Sequence, residues 1–142
     1  MEKKMSTGDL LESLFKTDNI DQYITHTDLP DLPSFSDYIR ELCMSMGETP
    51  QHVIKRSGIE RTYGHQIFNG TRRPSRDKVI QLAIGLGVDV EKTQKMLRIA
   101  KKNELYPRVK RDVALLYCIT HGMGFSETQE ALAHLDLQAL GE

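Results

Sequence analysis

The 142-residue chain is 39% hydrophobic and 27% charged, the balance of a protein with one real core and not of a disordered chain or two ordinary domains. Its net charge of −1 hides a division: residues 1–54 hold 4 Lys/Arg against 10 Asp/Glu, residues 55–111 hold 15 against 5, and residues 112–142 hold none against 5. A basic middle between acidic ends suits a surface that meets a polyanion, while the lack of any apolar run near the roughly 20 residues that span a bilayer, and of a basic-then-apolar leader, sets the expected location as cytoplasmic with no membrane partner.

Leu10, Leu11, Leu14 and Phe15, then Ile20, Tyr23 and Ile24, predict two short amphipathic helices broken near Thr17–Asn19. Their apolar stripes need another surface to cover them. Pro30 and Pro33 stop any helix over the connector 28–33. From Ser34 the spacing of Phe35, Tyr38, Ile39, Leu42 and Met46 predicts a helix over about 35–46, capped by Ser34 or Ser36 and ended by Gly47. Thr49-Pro50 opens a short helix with Val53 and Ile54 inward, interrupted by Ser57-Gly58-Ile59. The next runs from Glu60 or Arg61 to Asn69 and stops at Gly70. After the loop Arg72-Arg73-Pro74, Ser75 caps a helix whose Val79, Leu82, Ala83 and Leu86 form one stripe, with Gly85 and Gly87 marking its end. Asp89 caps a helix through about Lys101, Pro107 opens one to about Thr120, and Ser126 with Gln129 reads as a capping box for the last. No β-type alternation is present.

The stretch Glu91-Lys-Thr-Gln-Lys-Met-Leu97 echoes Ser126-Glu-Thr-Gln-Glu-Ala-Leu132, although one echo does not argue a repeat array. Cys43 and Cys118 read as buried thiols, and five singly scattered histidines support no metal site.

The run Gly58-Ile-Glu-Arg-Thr-Tyr-Gly-His-Gln-Ile-Phe-Asn-Gly-Thr-Arg-Arg-Pro-Ser75 places a glycine in a tight turn, a short helix ending Asn-Gly, a basic loop, and Pro-Ser opening a helix that ends Gly-Leu-Gly-Val. With it, residues 47–87 resemble the lambda-repressor-like helix-turn-helix family, often called the XRE family. The resemblance implies an all-α helix-turn-helix bundle with short terminal extensions: an N-terminal helical extension and linker over 1–33, a DNA-binding domain over 34–101, and a C-terminal helical extension over 102–142, expected to dimerise. It implies a bacterial or phage transcriptional regulator, expected to repress, that lays helix 61–69 in the major groove of double-stranded DNA. The expected partners are a near-palindromic operator, a second copy in a homodimer, and a protein partner through the terminal helices, with no cofactor.

Arg61, Thr62, His65, Gln66 and Asn69 fall at i, i+1, i+4, i+5 and i+8, one continuous polar stripe. Arginine can fork onto guanine, glutamine onto adenine, and a threonine methyl can meet that of thymine. By position, the resemblance assigns base contacts to Arg61, Thr62 and Gln66, with Glu60 and His65 as lesser candidates. It assigns phosphate contacts to Asn69, Thr71, Arg72, Arg73 and Arg76, and to Thr49, Gln51 and the amides behind Pro50. The chain departs from the family at Pro50, where glutamine is usual, and at Gly64, where an aliphatic residue is usually buried. A mid-helix glycine costs about 1 kcal/mol relative to alanine, so either two helices approach closely there or Tyr63 fills the space.

The alternative is an antitoxin-like or adaptor module that binds a protein, favoured by the near-neutral net charge, Pro50 and Gly64. No enzyme is expected. The chain has no phosphate-cradling glycine loop, no HExxH or CxxC spacing, and no nucleophile set against a base.

Overall fold

The computed structural model describes residues 6–26 and 34–141, and every regular element among them is an α-helix. The chain divides into two compact units, Met1–Leu32 and Pro33–Glu142. The connector over 28–33 lies outside the described residues.

In the first unit, α1 (Thr7–Lys16) is capped by the Ser6 hydroxyl, which accepts the Asp9 amide at 3.1 Å. It breaks at Thr17, and α2 (Ile20–His26) follows. The Tyr23 hydroxyl donates to the Leu10 carbonyl at 3.1 Å and ties the two together. Leu11, Leu14, Phe15, Ile20 and Ile24 remain exposed within this unit.

The second unit holds α3 (Phe35–Ser45), α4 (Pro50–Arg56), α5 (Arg61–Asn69), α6 (Arg76–Leu86), α7 (Val90–Ile99), α8 (Lys110–Thr120) and α9 (Phe125–His134). The caps are those the sequence signals. Ser34, Thr49, Ser75 and Asp89 accept amides at the starts of α3, α4, α6 and α7, and Gly70 and Gly87 end α5 and α6 in the left-handed region. Two starts differ from expectation. α8 begins at Lys110, after a turn that holds Pro107, and α9 begins at Phe125 with Gly124 as its cap. The Glu127 carboxylate accepts the Gly124 amide, while Gln129 turns away to pair with the backbone of Leu140.

α6 is the central rod, packed against α4, α7 and α9. The single stripe expected from its sequence is buried, and so are Ile80 and Gln81 on the other side, because a helix enclosed by neighbours buries more than one face. Gln81 meets that burial by donating from Nε2 to the Ser57 carbonyl at 3.1 Å. Three glycines mark close approaches. A Cβ at Gly64 would overlap the Ile54 side chain, so it is contact between α4 and α5, and not a filling Tyr63, that requires glycine. Gly85 is no terminator: it lies inside α6, where a Cβ would overlap the Ser57 hydroxyl and sit 2.9 Å from the Val53 carbonyl. Gly58 has φ +68°, and a Cβ there would overlap the Phe125 ring of α9. Cys43 and Cys118 are buried free thiols, each pushed up from the ordinary thiol value by burial.

The faint sequence echo is the trace of a complete structural duplication, in which α6–α7 recurs 35 residues later as α8–α9. Gln94 exchanges two hydrogen bonds with the backbone of Leu105, and Gln129 does the same with Leu140. Thr93 and Thr128 bond back to the carbonyls of Asp89 and Gly124. Lys101 and Asp136 are the two non-glycine residues with positive φ among those described, at 59° and 57°. Arg76 reaches Asp112 of the second copy, and Arg111 of the second copy reaches Asp77 of the first. A simple translation along the chain cannot produce that exchange; a two-fold relation between the copies does.

Candidate nucleic-acid interface

α5 turns Gly64, Ile67 and Phe68 into the core. A helix advances about 100° per residue, so the opposite side carries Thr62, Gln66 and Asn69, with His65 and Arg61 on one flank and Tyr63 on the other. Arg61, Thr62 and Asn69 are exposed, and His65 and Gln66 are half-buried. Among the described residues the side chains of Arg61, His65 and Gln66 make no hydrogen bond or ion pair. Their donors and acceptors therefore stand unoccupied on one side of a rod whose other side is fixed.

Glu60 differs from its neighbours. Its two carboxylate oxygens accept the amides of Thr62 at 2.9 Å and Tyr63 at 2.8 Å. Those two amides, Tyr63 first, hold its carboxyl below the usual glutamate value. It is the N-cap of α5, and each of its oxygens gives a lone pair to the helix.

The residues assigned to phosphate separate on inspection. Thr49 accepts the His52 amide at 3.4 Å and keeps its hydroxyl proton. Gln51 is exposed, and Lys55, which sequence reasoning passed over, stands one turn later on the same exposed side of α4. That i, i+4 spacing was the available signal. Asn69 Oδ1 accepts both the amide and the hydroxyl of Thr71, at 3.0 and 2.7 Å. The Asn69 amide group is left to donate outward, while the donors of Thr71 are turned inward. Arg73 is exposed and has no hydrogen bond or ion pair among the described residues. Arg72 folds back along α5, its guanidinium 4.5 Å from the centre of the Tyr63 ring and close enough to help lower the Glu60 carboxyl, so its charge sits toward the first turn of α5 and not past its end.

Arg76 is engaged within the protein. Its guanidinium forks onto both oxygens of Asp112 at 3.1 and 2.9 Å and donates as well to the carbonyls of Asn103 and Glu104. Four of its five N–H donors are used, and the pair is largely removed from water. Other arginines of the middle segment are paired too, Arg111 in a buried pair and Arg56 and Arg98 at the surface. Arg111 pairs with Asp77, Arg56 with Glu48, and Arg98 with Glu104.

Among the described residues no group of three His, Cys, Asp or Glu is placed to hold a metal, and no helix is long and apolar enough to cross a membrane. No family model, curated protein or solved structure matches the chain.

Proposed function

We propose that the protein is a sequence-specific double-stranded DNA-binding protein of the lambda-repressor-like helix-turn-helix kind, a transcriptional regulator expected to repress. The observation that carries the reading is the division of α5: Gly64, Ile67 and Phe68 are buried, and Arg61, Thr62, His65, Gln66 and Asn69 face outward with contact groups mostly free. A helix held on one side by close packing at Gly64 and armed on the other is what major-groove reading requires. Arg61, Thr62 and Gln66 read base edges. Asn69, Arg72, Arg73, Gln51 and Lys55 supply sequence-independent attraction to the backbone. Because one short helix reads only a half-site, the protein acts as a dimer on a near-palindromic operator.

Selection of bound duplexes from a random pool tests this directly. A recovered near-palindrome, bound with an affinity that falls steeply as salt rises, is the expected result. Absence of any salt-sensitive duplex binding overturns the reading.

A second reading, a protein-binding adaptor on the same framework, draws support from one observation: largely buried ion pairs take up Arg76 and Arg111, which weakens the polyanion argument taken from composition alone. Stable co-purification with a protein partner, together with no duplex binding, is its signature.

A further inference from the structure

The duplication makes α6–α7 and α8–α9 comparable position by position. In the first copy the outer face is filled: Val79, Leu82 and Met96 are 0% exposed, and α4 packs on α6. In the second copy the counterparts of Val79 and Met96 are Ala114 and Ala131, so the floor is cut away where the first copy is full. Tyr117, the counterpart of Leu82, is 58% exposed, and Leu135 is 55%. Val113, Tyr117 and Leu135 stand as walls around a groove of about 580 Å³, inside the range of about 300–1,000 Å³ common among small-molecule sites. The His121 ring, stacked on Tyr117 with centroids 4.0 Å apart, steadies one wall.

One end of the groove is basic. The link over 121–124 between α8 and α9 is short, which brings the start of α8 beside the end of α9, and Arg108, Lys110 and His134 line the groove there. All three are exposed and make no hydrogen bond or ion pair among the described residues. Lys110 and His134 stand where the first copy has Ser75 and Ile99. Among the described residues no carboxylate lines the groove. We infer that the groove binds a free medium-chain fatty acid, its carboxylate held by Arg108, Lys110 and His134 and its alkyl chain laid over Ala114, Cys118 and Ala131. The basic end complements the charge of the head, and the apolar floor takes the chain out of water. From Lys110 to Cys118 α8 advances about 12 Å, the reach of a medium alkyl chain. The distribution of charge favours this occupant over two larger ones. Residues 112–142 carry five Asp/Glu and no Lys or Arg, so the surroundings of the groove repel an anionic bilayer. An acidic helix lying the length of the groove would set carboxylates against Glu127, one turn before Ala131 on the same side of α9. A single anionic head with an uncharged tail avoids both conflicts.

Equilibrium dialysis of the full chain against labelled decanoate, below its micelle concentration, tests this. Saturation at one decanoate per chain is expected. Decanol, which keeps the chain and drops the charge, should bind at least about tenfold more weakly, and Arg108→Gln with Lys110→Gln should lower decanoate affinity by a similar factor, as loss of a charge-assisted hydrogen bond does. Both arms of that double variant are exposed and unpartnered among the described residues, so its helical content should stay unchanged. Ala131→Met, which returns the first copy's residue to the floor, should block decanoate while leaving the basic end intact. Uptake that does not saturate, equal affinity for decanol and decanoate, or full binding by the charge variant overturns the inference. So does preference for phosphatidylglycerol vesicles over free decanoate, which gives the face to a membrane, or a self-association that excludes decanoate, which gives it to a second copy. The inference goes beyond the DNA-binding reading and does not rest on it: decanoate binding without duplex binding, or the reverse, separates the two.

Discussion

Arg61 and Arg73 at the outward helix, and Arg76 and Arg111 between the duplicated hairpins, are the same residue type within one basic segment of sequence, yet they do opposite things. The first two project into solvent with no partner among the described residues. The second two lie in paired forks, each holding an aspartate of the other copy and two carbonyls of its own. Charge counted along a chain therefore measures two quantities at once, the attraction offered to a polyanion and the glue between helices. Only the first belongs to function.

The largest expected effect sharpens the structural side of that comparison. Asp112→Ala leaves the Arg76 guanidinium without its partner and the Tyr106 amide without the acceptor it reaches at 2.9 Å. Breaking a pair this buried should cost about 3–5 kcal/mol in denaturant unfolding, whereas a surface pair such as Lys16 with Glu12 contributes at most about 1 kcal/mol. A loss below about 1 kcal/mol would erase the distinction drawn between the two arginine sets.

Next is the platform on which the outward helix rests. Gly64→Ala gains about 1 kcal/mol of helix propensity but drives a methyl into Ile54, and overpacking typically costs about 1–3 kcal/mol. A net loss of stability is expected. A more stable variant would show that α4 and α5 are not in close contact at that position.

Arg61→Ala addresses function and should leave thermal stability alone. It is expected to lose about 1–3 kcal/mol at the selected duplex and to relax the sequence preference at one position. Arg73→Gln should instead weaken all duplexes alike and lower the salt slope by about 1. Equal losses on selected and random DNA for Arg61→Ala would move that residue from base reading to backbone attraction.

The smallest effect concerns acid. The folded value of Glu60 is lowered by its two amide donors, so its capping contribution is complete above the ordinary glutamate value of 4.5 and disappears as pH falls through the lower folded value. Melting temperatures of the wild type and Glu60→Gln should differ near neutral pH and converge in acid. A gap that persists through that range would mean that the carboxylate charge is not what caps α5.

The sequence alone determined what depends on neighbours within a turn or so of chain. The starts of α3, α4, α6 and α7, the glycine stops after α5 and α6, and the polar stripe from Arg61 to Asn69 follow from capping chemistry and the 3.6-residue period, which act over three or four residues. Even Gly64 was visible as an anomaly with two explanations. Only the tertiary structure decided what depends on meetings far along the chain. It chose close helix contact as the reason for Gly64, buried Ile80 and Gln81 on the second side of α6, and turned an echo of seven residues into a full duplication. It also paired Arg76 while leaving Arg73 without a partner among the described residues, because the carboxylate that holds Arg76 is 36 residues away and no local pattern announces which charged group will be met at that distance.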